Sequence, residues 1–179
     1  MLLALDYGEK RIGVAVTDEN GQFPTPLNYI SNRSKVKRVS NKSYPKGTSP
    51  QTIHDARKAA KGKAKVELRK LFNKILHLIN CYYPEKILIG LPMSIDKNTR
   101  ALVVGKQAIV VRRFAKKLES FLKSQKIVCD ILLIEESMSS VQARANLKQL
   151  GLTENKIKEK IDSESARILL EEYITNSRI

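Results

Sequence analysis

Three acidic positions could do chemistry: Asp6, the Glu135-Glu136 pair and Asp162. Asp6 follows the apolar run Leu2 to Leu5, which would anchor it in a sheet while its oxygens face open space beside a turn. That is how a protein presents a metal ligand. Glu135 and Glu136 close the apolar run Ile127 to Ile134, and Asp162 precedes the last amphipathic stretch. Carboxylate oxygens are hard donors suited to Mg²⁺ or Mn²⁺. Each acid also has a purely structural explanation. An Asp-x-Gly tripeptide caps turns, and a strand end can be solvated, with only one of two neighbouring acids facing a given pocket. An acid in the first turn of a helix is favoured by the backbone dipole. Which explanation holds depends on whether the elements bring the acids together.

Leu2 to Leu5 and Ile12 to Val16 flank a polar connection containing Gly8 and spell a β-hairpin. Asn20-Gly21 is a turn signal, and Gln22 to Ile30, with Pro24 and Pro26, reads as an edge strand. From Val66 the apolar spacing of three and four is helical, until Pro84 stops it. Lys86 to Pro92 is a strand ending in Gly-Leu-Pro, with Met93 to Lys97 as a loop. A helix from about Thr99 to Ser124 leads to the strand Ile127 to Ile134, a parallel pair with a right-handed crossover. Ser139 with Gln142 forms a capping box, Gly151 ends that helix, and Ile168, Leu169, Leu170, Tyr173 and Ile174 mark the last one. This order predicts an α/β ribonuclease H-like fold, a mixed five-stranded sheet with flanking helices. In such a sheet the three acids can meet at one edge. Two ions roughly 4 Å apart could there activate a water and stabilise the leaving oxygen of a phosphodiester. Asp6, on the most rigid element, is the expected bridging ligand, and Lys10 and Arg11 at the turn would hold the substrate backbone.

The 179 residues suit a single domain, 1–179, and a composition of 42% hydrophobic and 28% charged residues is that of a globular protein. A net charge of +15 favours a polyanionic partner, nucleic acid first and an anionic membrane surface second. Between Arg33 and Lys65 stand eleven basic residues and one acid, Asp55, with Pro45, Gly47, Pro50 and Gly62 among them. This predicts a flexible basic insertion at about 32–65, either a phosphate-binding arm using Arg33, Lys35, Lys37 and Arg38 or a solvated low-complexity loop. Tyr44 and His54 could stack on bases there. Cys81 and Cys129 are far apart and have no Cys or His at metal-ligand spacing beside them, which argues against a disulfide framework and a zinc site. His77 reads as a partly exposed helix residue. Neither a Ser-His-Asp nor a Cys-His set is apparent. With no signal peptide or transmembrane run apparent, the expected location is the cytoplasm.

The segments Leu5-Asp6-Tyr7-Gly8-Glu9-Lys10-Arg11-Ile12-Gly13-Val14-Ala15-Val16-Thr17-Asp18, Ile89-Gly90-Leu91-Pro92 with Asp96, Glu135-Glu136-Ser137-Met138-Ser139-Ser140, and Lys160-Ile161-Asp162 resemble the YqgF/RuvX family. These are Holliday junction resolvase-like proteins, regarded as pre-16S ribosomal RNA nucleases. The resemblance implies Asp6, Glu136 and Asp162 as catalytic, metal-holding carboxylates, with Mg²⁺ or Mn²⁺ as cofactor. It implies cleavage of structured RNA, with branched DNA as the alternative substrate and a monomer or homodimer as the assembly. Some positions depart from the family pattern. Ser137 stands where an Arg is usual, Ser94 replaces an Asn, Lys97 a Gly, and Ser163-Glu164-Ser165 an alanine-rich start. A non-catalytic RNA-binding protein is the competing expectation. The first motif also resembles the phosphate hairpin of actin-like and sugar-kinase ATPases, which need a second domain and a second glycine-rich loop.

Overall fold

The computed structural model describes residues 1–32, 48–95, 102–136 and 139–177. Strands β1 (Leu2–Tyr7) and β2 (Arg11–Thr17) form the expected hairpin, pairing Leu3 with Val16 through to Tyr7 with Ile12. The proline-containing third strand is broken in two, β3 (Pro24–Pro26) and β4 (Ile30–Ser31), both antiparallel to β2. Prolines cannot donate to the ladder, so pairing lapses between them and resumes at Ile30. Strand β5 (Lys86–Pro92) runs parallel to β1, and β8 (Asp130–Glu136) runs parallel to β5. The order β3-β2-β1-β5-β8, with β4 also on β2, is the ribonuclease H-like arrangement the element order predicts.

Alternation along the strands divides the core. Leu3, Leu5, Tyr7, Ile87, Ile89 and Leu91 face helices α1 (Pro50–Tyr82) and α2 (Lys106–Ser124). Tyr7 stacks at 4.5 Å on Phe114, which lies 5.7 Å from Phe72. On the other face Ala4, Ala15 and Leu88 receive Ala166, Leu169 and Leu170 of α4 (Glu154–Asn176). Small side chains on the strands let that helix approach closely. Helix α3 (Ser139–Gln149) packs on α4 and ends before Gly151, whose φ of 70° is left-handed.

Four expectations are corrected. Residues 50–65 form no loop. They are the first half of α1, capped by Ser49, whose hydroxyl accepts from the Thr52 amide, with Pro50 in the first turn. Ala56, Ala59, Ala60 and Ala64 among lysines and arginines are strong helix formers, and a reading of apolar periodicity does not see them. The rest of the insertion, 33–47, with Arg33, Lys35, Lys37, Arg38 and Tyr44, lies outside the described residues. Helix α2 begins at Lys106, after a short hairpin of β6 (Ser94–Ile95) and β7 (Leu102–Val103). The strand leading to the Glu pair starts at Asp130 and includes both acids. Finally, α4 starts at Glu154, so Asp162 sits in about its third turn. The helix dipole acts within the first turn and does not account for Asp162.

Candidate active site

The site is built on the β1–β2 turn. The Gly8 amide donates to the Arg11 carbonyl at 2.9 Å, and a Cβ on Gly8 would stand 2.6 Å from that oxygen. Only glycine fits so tight a reversal. Buried Asn32 clamps the turn from β4: its side-chain amide donates to the Gly8 carbonyl and its backbone amide to the Lys10 carbonyl, both at 2.8 Å. Asp6 therefore leaves the sheet from a fixed backbone.

Asp6 pairs across the hairpin with Gly13. A Cβ on Gly13 would lie 1.8 Å from the carbonyl oxygen of Asp162. The missing side chain is what allows α4 to rest on β2 at this point, setting Asp162 beside the strand neighbour of Asp6. A lone glycine inside a strand is the sequence signal for such an approach. Burial, and then the charge of Asp162, push the Asp6 carboxyl up to about 7. Asp162 is raised by burial as well, with Arg11 pulling the other way. Burial and the charge of Asp162 thus both oppose ionisation of Asp6 in a partly desolvated place.

Arg11 joins the hairpin to α4. Its Nη1 donates to the Lys158 carbonyl at 2.6 Å and lies 3.8 Å from Asp162 Oδ2, while its guanidinium stands 4.7 Å from the centre of the Tyr29 ring. Lys10, the other expected phosphate contact, is exposed on the turn. Asn32 and Tyr29 carried no sequence signal, because each works through a tertiary contact. Asp18, within the first motif, is a turn cap: its Oδ1 accepts from the Gln22 and Phe23 amides at 2.6 and 2.9 Å, which hold its acid below the usual range.

Strand register brings the third position to the same edge. Leu5 is level with Ile89, and β5 pairs Gly90 with Ile134 and Pro92 with Glu136. Backbone position 136 therefore falls two residues beyond the level of Asp6. Leu132 and Ile134 pack on the α4 side of the sheet, with Ala4 and Leu88. The Glu136 side chain lies outside the described residues, as do Asp96, Ser137 and Met138. Among the described residues no three Asp, Glu, His or Cys side chains gather closely enough to hold a metal ion, and the described cluster is the Asp6 and Asp162 pair.

His77 is exposed on α1 as expected, but it does stand one turn before Cys81, with Nε2 3.7 Å from Sγ. Contrary to the expectation from sequence, a His therefore does accompany a Cys at ligand spacing. Spacing of i, i+4 was the available signal. No third ligand joins the pair among the described residues. Both cysteines are free. Among the described residues no helix is long and apolar enough to cross a membrane.

A family model described as RuvX, Holliday junction resolvase, matches residues 1–44 and 47–176. A relative from Sulfurihydrogenibium is 32% identical over 173 residues, covering 97% of this chain and 88% of its own. One from Chloroflexus aurantiacus is 29% identical over 178 residues, covering 99% and 88%. Both carry the name "Putative pre-16S rRNA nuclease". A solved structure of T. thermophilus RuvC in complex with Holliday junction substrate is 13% identical, with a TM-score of 0.48 over 98% of this chain and 95% of that one.

Proposed function

The chain belongs to the RuvX family, and from that premise we propose that it is a metal-dependent endonuclease that hydrolyses phosphodiester bonds, processing the 5′ end of pre-16S ribosomal RNA in the cytoplasm. The observation that carries the proposal is the meeting of Asp6 and Asp162 over Gly13, with the Asp6 acid pushed up to about 7 by burial and by its neighbour. A buried carboxyl whose ionisation is opposed by a neighbouring acid gains from a divalent cation that takes the place of its proton. The donor set fits Mg²⁺ or Mn²⁺. Asp6, Asp162 and Glu136 would hold it, with Asp6 as the central ligand because it stands on the clamped hairpin.

When bound, such an ion polarises the phosphodiester and lowers the pKa of a water. The protein's own residues do the rest. Gly13 and the Asn32 clamp fix the two acids relative to each other. Arg11 offsets the charge of Asp162 and ties α4 to the hairpin. Lys10, exposed beside the site, meets the phosphate on the approaching strand.

The test is cleavage of a 5′-extended 16S precursor RNA and of a four-way DNA junction, each with Mg²⁺ or Mn²⁺, by wild type and Asp6→Asn. Cutting of the RNA, reduced about 100-fold or more in the mutant, is expected, since losing a ligand weakens metal function at least as much as losing its support does. Preference for the junction would favour the activity in the family model's description. Equal binding with no cutting by either protein would establish the non-catalytic RNA-binding alternative.

A further inference from the structure

Helix α1 has 33 residues, yet its buried side chains are only Leu71, Phe72, Ile75 and Ile79. Its lower end is fixed at the start of β5, where the Glu85 amide donates to the Met1 carbonyl at the foot of β1. Higher up, Asn73, Lys74, His77 and Leu78 line a groove with Asn28 and Ile30. Ile30 pairs with Ile12, and Ile12 with Tyr7 at the top of β1. The helix thus passes the level of the sheet's upper rim near Leu71. The residues before it continue about 30 Å past the edge that carries Asp6.

The side that looks inward changes character at that level. Phe72, Ile75 and Ile79 follow spacings of three and four along the buried face. Extended toward the N-terminus, the same series falls on Leu68, Lys65, Lys61, Lys58 and His54. A seam that is apolar against the sheet becomes basic above it, and Lys58, Lys61 and Lys65 are all exposed. Ile53, Ala56, Ala60 and Ala64 give that half a narrow apolar stripe, but none of it is buried, so it gains little from packing. Lysines in line along a straight rod are instead complementary to a stiff polyanion.

We propose that the N-terminal half of α1 is a substrate arm, whose Lys58, Lys61 and Lys65 lie along the sugar-phosphate backbone of duplex RNA adjoining the bond to be cut. The choice of RNA as occupant rests on the nuclease reading above. The placement of the seam over the rim does not. Backbone contacts of this kind give affinity and register without base specificity.

The experiment measures binding of a fluorescent RNA duplex to the full chain in EDTA, where no cleavage occurs, across a salt series. The variant Lys58→Gln/Lys61→Gln/Lys65→Gln is compared with Lys63→Gln/Lys70→Gln/Lys117→Gln, which removes the same charge from the opposite side of the helix and from the exposed face of α2. Glutamine keeps helix propensity, and circular dichroism checks that both fold. The seam variant should bind about tenfold more weakly or worse, and its slope of log affinity on log salt should fall by about 2 to 3. The second variant should match wild type. Lys61→Glu alone repeats the test with one substitution. Equal weakening in both triple variants, or none in the seam variant, overturns the proposal. So does a seam variant that loses binding to anionic vesicles while keeping RNA. Failure of the nuclease reading shows elsewhere, as equal cleavage by wild type and Asp6→Asn.

Discussion

Where a side chain on residue 13 would project, the Asp162 carbonyl already stands, 1.8 Å from any Cβ placed there. Gly13→Ala must push α4 off β2. Overpacking of this sort costs about 1–3 kcal/mol, so a lower urea midpoint with an unchanged slope is expected, together with loss of cleavage as Asp162 leaves Asp6. An unaltered midpoint would show that the contact is soft. Asp6 makes a second prediction at this scale. Its folded-state acid is raised from 3.8 to about 7, so between those values the folded chain binds a proton that the unfolded chain has released. Without metal, stability should therefore decline as pH rises from about 4 to about 7 and level off above that. Asp6→Asn removes the Asp6 share of this decline, leaving that of Asp162, whose acid is also raised by burial, and should be more stable than wild type at pH 8, by roughly 2–4 kcal/mol. Denaturation curves at several pH values check both the sign and the window.

Helices α1 and α4 show what elements contribute. Nothing between residues 50 and 70 of α1 is buried, whereas Leu71 to Ile79 packs on the sheet. Local opening follows the loss of buried contacts, so amide exchange should be fast over 50–66 and strongly protected over 71–79. Uniform protection along α1 would mean that the upper half has a packed partner. The lower half was legible from its apolar period. The upper half was not, because its helical preference lies in alanine and lysine, which look like a polar linker to any scheme that counts hydrophobic residues. Helix α4 was misread for a related reason. Its buried face includes Ser163, Glu164 and Ser165, and Glu164 is neutralised there by Arg167 at 2.8 Å. Polar residues on a buried face carry no hydrophobic signal, whether paired like Glu164 or left without a hydrogen-bond partner like the Ser165 hydroxyl.

At the scale of the whole molecule, the order of strands and helices predicted the sheet, and the sheet is as expected apart from the broken third strand and the added short hairpin. The long apolar runs Leu2 to Leu5, Lys86 to Pro92 and Ile131 to Ile134 could hardly be anything but strands between helices, and chain connectivity then limits how they pair. Sequence alone thus determined the fold class, the hairpin that presents Asp6, the excess of positive charge and the family motifs. Tertiary structure alone decided that Asp162 reaches Asp6, that Arg11 is tied to α4, and that the basic seam of α1 overhangs the rim. Each of those depends on distances between residues remote along the chain. Local preference fixes how a segment folds, but only packing fixes what it lies against.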